Sequence, residues 1–249
     1  LVILLRPGHD WPLLVAGNRD EMRDRAWQPP ARHWPDNPGV IAGQDTTAGG
    51  TWFGINEDGV VAAIMNRRGS LGPAAGARSR GELVLEALSF ASAEAVARQW
   101  RGRRFDQYRS FNLVFGDADG AWWLRHDTAE VSDDIVAPLR PGLHMITAGE
   151  LDDSDDPRIR YWLPQFAAAP VPDPGRGDWR AWEAMLASRE GLGDGGPLGA
   201  MNVQTDRGFG TVCGQLAAVP ARRSAPLVFR VAAGPPDTVA FEPVAALND

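Results

Sequence analysis

Apolar residues along the chain fall in short runs separated by turn residues. The run Leu1-Val2-Ile3-Leu4-Leu5, the turn Pro7-Gly8-His9-Asp10 and the return Pro12-Leu13-Leu14-Val15-Ala16 predict a β-hairpin with a buried face. Four polar residues follow at once, Asn18-Arg19-Asp20-Glu21, where the second strand is expected to leave the core. Residues 27–50, rich in Trp and Pro, read as an ordered surface loop. Gly49 to Asn56 then predicts a strand, Glu57-Asp58-Gly59 a hairpin turn and Val60 to Met65 its partner, closed by Asn66. From Ser79 the period changes: Leu83, Val84, Ala87, Leu88 and Ala91 recur at helical spacing, with Ser79 and Glu82 forming a capping box. Strands are expected over 110–116, 121–126, 143–147, 210–217 and 227–232, and helices from Pro157 through Trp162 and over 179–188.

Because the strands come as hairpins instead of alternating with helices, the pattern predicts an α+β fold with largely antiparallel sheets covered by helices. No repeat, charge block or low-complexity linker divides residues 1–249, so a single domain is expected.

Composition narrows the chemistry. The 249 residues are 44% hydrophobic and 23% charged, as in an ordinary globular protein. A formal net charge of −7 argues against a nucleic-acid partner, which requires a concentrated cationic face. All 25 basic residues are arginine, which removes lysine Schiff-base chemistry and a phosphate-loop lysine. The single cysteine, Cys213, excludes an intramolecular disulfide, and four scattered histidines give no metal-ligand spacing. A cytoplasmic location and no membrane insertion are the expectations, since the opening apolar run is short and lacks a basic leader. The first residue is not Met, so we expect residues to precede Leu1.

Several residues have two readings. Asn18, Arg19, Asp20 and Glu21 make either a salt-bridged turn, worth about 0–1 kcal/mol at a surface, or a reactant-positioning set. Asn66 at a strand end can donate to an oxyanion or merely to local backbone. Cys213, mid-strand with no basic neighbour in sequence, reads as a buried structural thiol. His126 and Asp127 are adjacent in a strand and therefore point to opposite faces. Ten tryptophans either fill cores or wall an apolar cleft.

The order of motifs Ala16-Gly-Asn-Arg-Asp-Glu21, Ala48-Gly-Gly-Thr-Trp-Phe-Gly54, Asn66-Arg67 and Ser79-Arg-Gly-Glu-Leu83 resembles the NRDE family, bacterial relatives of the animal transport-and-Golgi-organisation proteins of the second type. Members begin Met-Cys just before the apolar strand that here starts at Leu1. The family is similar in turn to cysteine N-terminal-nucleophile hydrolases of the bile-salt hydrolase and penicillin V acylase group. That resemblance implies a four-layer αββα sandwich and cofactor-free hydrolysis, or acyl transfer, at an amide-type C–N bond of a small molecule. It implies a nucleophilic cysteine just before Leu1, Arg19 stabilising its thiolate, Asp20 holding its α-amine and Asn66 donating to the oxyanion, with Asn18 and Glu21 in support. The chain departs from the pattern at Thr147-Ala148-Gly149, where many relatives have Ser-Asn, and at Thr211-Val212, where many have Thr-Arg, so a second amide and a second cation are expected to be missing and hydrolase activity to be reduced or altered. The alternative implied by the animal relatives is haem or lipid binding on the same fold, with Arg19 clamping an anionic group.

Overall fold

The computed structural model describes residues 1–72, 74–128, 135–191, 193–221 and 225–247. Two antiparallel sheets stack face to face with helices on both outer surfaces. The first sheet contains β1 (Val2–Leu5), β2 (Leu13–Met22), β10 (Gly142–Met145), β11 (Phe209–Val219), β12 (Val228–Ala232) and β13 (Glu242–Pro243), in the order β10-β1-β2-β11-β12-β13. The second runs β3 (Trp27–Ala31), β4 (Val40–Asp45), β5 (Phe53–Asn56), β6 (Val61–Asn66), β7 (Phe111–Gly116), β8 (Ala121–His126) and β9 (Ile135–Pro138), in chain order.

Three apolar layers hold this αββα sandwich together. Ile3, Leu13, Val15, Ile41, Phe53, Val61, Val114 and Ala217 fill the space between the sheets. On the outer face of the second sheet lie α1 (Gly81–Leu88) and α2 (Ala93–Trp100), which bury Leu83, Val84, Leu88, Val96 and Trp100 against Leu113 and Phe115. On the outer face of the first lie α3 (Pro157–Ala168) and α4 (Arg180–Ala187), which bury Ile159, Trp162, Phe166, Trp182 and Leu186 against Val2, Leu4, Leu14 and Ala16. These helical residues recur at intervals of three and four, the stripe a helix needs to cover a sheet.

Three local expectations are corrected. Residues 27–50 are not a loop throughout but contain β3 and β4; Pro29 and Pro30 are accommodated because β3 is an edge strand with a register shift between Gln28 and Ala31. The capping box fails: α1 is capped by Arg80 without a side-chain bond, and Glu82 pairs with Arg78 instead. The Asn18–Glu21 quartet does not follow the strand but lies within it, because β11 pairs with β2 all the way to Met22.

The motif glycines Gly50 and Gly81 explain each other. A Cβ on Gly50 would fall 2.7 Å from the Gly81 carbonyl carbon, and one on Gly81 would fall 2.9 Å from the Thr51 nitrogen. The backbone before β5 thus touches the first turn of α1, a contact only two glycines permit.

Candidate active site

Strand alternation divides the quartet. Leu14 and Ala16 face the helices α3 and α4, while Leu13 and Val15 face the other sheet. Asn18 and Asp20 continue the first set, and Arg19 and Glu21 the second.

On the inner face the Arg19 guanidinium, 7% exposed, lies 4.0 Å from the centre of the Trp52 ring and 3.4 Å from Asp45. Asp45 is held more tightly by Arg25, at 2.7 Å, and Glu21 stands 4.0 Å from Arg19 and 3.7 Å from Arg25. Burial lowers the pKa of Arg19, with Cys213, Glu21 and Asp45 pulling it back. One guanidinium nitrogen, Nη1, is buried with no hydrogen-bond partner among the described residues. Cys213 pairs with Arg19 across the β2–β11 ladder and is fully buried. Burial pushes its thiol up to about 12, so it is no nucleophile at neutral pH.

On the helix face Asn18 donates to the Leu186 and Met201 carbonyls at 2.8 and 2.9 Å, tying the end of α4 to the segment before β11. Asp20 is gripped from two sides. One carboxylate oxygen accepts from the Thr211 hydroxyl at 2.7 Å, and the other from Arg158 Nη1 at 3.1 Å. Arg158 also donates through Nε to the Leu198 carbonyl at 2.8 Å, and Thr211 Oγ1 accepts from the Val203 amide at 2.8 Å. Asp156 caps α3 by accepting from the Arg158 and Ile159 amides, while its second oxygen accepts from the Thr147 hydroxyl at 2.7 Å and from Arg68 at 3.4 Å.

The Leu1 nitrogen lies just before β1 and continues its ladder with the segment after β10. It donates to the Ile146 carbonyl at 2.8 Å, and the Ile146 amide donates back to the Leu1 carbonyl at 2.9 Å.

Asn66 is not joined to the quartet by any hydrogen bond among the described residues. It ends β6 opposite Phe111, and alternation gives it the same face as Ile64, which packs towards α1 and α2. The amide that does reach the 147–149 segment is Asn112. Fully buried, it donates to the Thr147 and Gly149 carbonyls at 3.2 and 2.7 Å and accepts from Arg67 at 3.0 Å and Trp123 at 3.2 Å. Arg67 binds Asp127 and Glu150 as well. Together with Arg68, Ala148, Gly149 and Asp153 these residues line a polar cleft of about 220 Å³. Asn112 carried a signal in the sequence, an amide alone in the apolar run Phe111 to Phe115; Arg158 carried none beyond following Pro157.

Residues 1–169 match the family described as Transport and Golgi organisation 2. The chain belongs to that family. A curated relative, the Transport and Golgi organization protein 2 homolog of Bos taurus, is 35% identical over 113 residues. The match spans 42% of this chain and 38% of the bovine protein. Among solved structures, a variant of the conjugated bile acid hydrolase from Clostridium perfringens superposes with a TM-score of 0.52 at 12% identity, covering 98% of this chain and 96% of that one. The N-acylethanolamine-hydrolyzing acid amidase ortholog of Caenorhabditis elegans gives 0.51 at 9% identity, covering 90% and 93%. This member of the Transport and Golgi organisation 2 family therefore has an N-terminal-nucleophile-hydrolase-like αββα fold. Among its described residues no helix is long and apolar enough to cross a membrane, and no cluster of His, Cys, Asp or Glu could hold a metal ion.

Proposed function

We propose that the chain is the body of an N-terminal-nucleophile amidohydrolase or acyltransferase whose nucleophilic cysteine precedes Leu1. The observation that carries this reading is the register of β1, which, continued past Leu1, opens on the face of β2 where Thr211 and Arg158 hold Asp20. Val2 pairs with Ala16 on one side and Met145 on the other. A residue joined to Leu1 and continuing that register stands opposite Asn18 and Thr147, with its side chain on the Asp20 face.

In that setting the free α-amine takes the thiol proton, sulfur bonds to the acyl carbon, and the C–N bond breaks as the amine leaves with the proton. Water, deprotonated by the same α-amine, then attacks the thioester; a C–O bond forms, the C–S bond breaks and the acid departs. Asp20, fixed by Thr211 and Arg158, orients the amine. Asn66, at the end of β6, is the oxyanion donor of this scheme. A fall in thiol acylation of about 10²-fold in Asn66→Ala would keep that role, and an unchanged rate would remove it.

Five of the ten tryptophans are taken up by packing and do not wall a haem or lipid cleft. Trp100, Trp162, Trp179 and Trp182 fill the helix–sheet layers, and Trp52 lies under Arg19. Intact-mass analysis of the native protein tests the reading: a mature N-terminus with cysteine, acylated by p-nitrophenyl acetate, is expected. A mature N-terminus without cysteine refutes it.

A further inference from the structure

We propose that the polar cleft between the segments after β6 and β10 is a binding site for a small zwitterion, a molecule carrying both an ammonium and a carboxylate group, as a free amino acid does. The cleft takes no part in the hydrolase scheme, and the inference stands whether or not a nucleophile precedes Leu1.

The cleft is built from fixed parts. Three hydrogen bonds pin its wall at Ala148 and Gly149: the Arg68 amide donates to the Ala148 carbonyl at 3.0 Å, and Asn112 and Arg67 donate to the Gly149 carbonyl at 2.7 and 3.2 Å. Arg67, nine-tenths buried, makes four bonds, from Nε to Asp127, from Nη1 to Asn112 and Gly149, and from Nη2 to Glu150. A guanidinium has five N–H groups, so one hydrogen on Nη2 has no partner among the described residues, while the side chain lines the cleft. A buried donor facing a preformed hollow is the mark of a ligand site. At about 220 Å³ this hollow is smaller than the roughly 300 Å³ at which pockets for drug-sized ligands begin, which restricts it to small molecules.

Charge then selects the ligand. Arg67 is matched by Asp127 and Glu150, and Arg125 shares the same Glu150 oxygen, Oε1. One lining group of each sign is left without an equal partner. Asp153 forms no ion pair among the described residues: its Oδ1 accepts from the Asp155 amide, and its Oδ2 is turned to Gly149, where a Cβ would fall 3.0 Å from it. Arg68 reaches only Asp156, at 3.4 Å, and its side chain is 66% exposed. A lone anion in the cleft meets the carboxylates of Glu150 and Asp153, and a lone cation meets the guanidinium groups of Arg67 and Arg68. A divalent metal meets the same two cations, and no cluster of ligating side chains closes on a point among the described residues. A zwitterion satisfies both signs, its ammonium on Asp153 and the second oxygen of Glu150, its carboxylate on Arg68 and on Nη2 of Arg67.

Isothermal titration calorimetry of the protein with glycine, β-alanine and γ-aminobutyrate, which set the two charges progressively further apart, tests the proposal. At least one is expected to bind at low salt with a Kd of about 1 mM or tighter, and the monoamine and the carboxylic acid of the same length at least about tenfold more weakly. Asp153→Asn and Arg68→Gln are each expected to weaken that binding at least about tenfold, with melting temperatures showing that both have folded. Absence of saturable binding by all three zwitterions overturns the proposal. So does an affinity for the monoamine or the acid equal to that for the zwitterion, a comparison made on the wild type that does not depend on either variant folding. An affinity unchanged in a folded variant overturns it as well, because the ligand then sits elsewhere.

Discussion

Replacing Asn112 with Leu removes the amide that ties the sheet to the 147–149 segment. Asn112 uses its whole hydrogen-bonding capacity in a site with no solvent exposure. The Gly149 carbonyl and Arg67 Nη1 retain each other at 3.2 Å. The Thr147 carbonyl and the Trp123 indole N–H each lose a partner and gain none from leucine. At about 1–3 kcal/mol for each buried group left unpaired, and with both groups only half-buried, the substitution costs about 2–4 kcal/mol. At the upper figure of about 4 kcal/mol, the melting temperature falls by roughly 8–16 °C for a chain of this length. Urea unfolding followed by tryptophan fluorescence measures the change, with an unaltered m-value showing that the unfolded state is not the source. Asn112→Asp separates the two halves of the amide. It keeps the acceptor for Arg67 and Trp123 but sets an oxygen against two carbonyls, so it is expected to cost at least as much. A stability within about 1 kcal/mol of wild type for Asn112→Leu, or a wild-type Asn112→Asp, would refute the reasoning.

His144 places one ring nitrogen 2.6 Å from Asp152 and the other 2.8 Å from the Arg140 carbonyl, so only the imidazolium satisfies both acceptors, and the Asp152 bond raises its pKa above 6.5. That stabilisation is complete below about pH 6.5 and fades as pH rises through the folded-state value; His144→Asn is expected to cost about 1 kcal/mol in acid and less in alkali, and an equal loss at both would refute it. Cys213, followed by peptide mapping, is expected to resist alkylation in the native protein at mildly alkaline pH and to react once unfolded, because burial pushes its thiol up to about 12; modification at the unfolded rate in the native state would show that the thiol is accessible.

Much of the architecture was legible along the chain because hydrophobic period is local information. The first hairpin, the β5–β6 hairpin, the β7–β8 pair and the stripes of α1, α3 and α4 follow from apolar residues at spacings of two or of three and four, and the sheets then have only each other and the helices to cover them. The motif order also made the family legible. What the local pattern missed was short or compensated: β3 carries two prolines and survives as an edge strand, and α1 begins without the side-chain cap its sequence offered.

The site divides along a different line. Composition alone removed lysine chemistry, and the scatter of histidines predicted no metal cluster. The sequence determined that Asn18, Arg19, Asp20 and Glu21 stand together in the chain, yet only the pairing of β2 with β11 decided that they do not share a face. Extending that strand through the quartet sends alternate side chains to opposite faces, Arg19 to Trp52 between the sheets and Asp20 to Thr211 and Arg158 beneath α3. Contacts across 138 and 191 residues cannot be read from spacing, because the register that creates them belongs to the sheet and not to either segment.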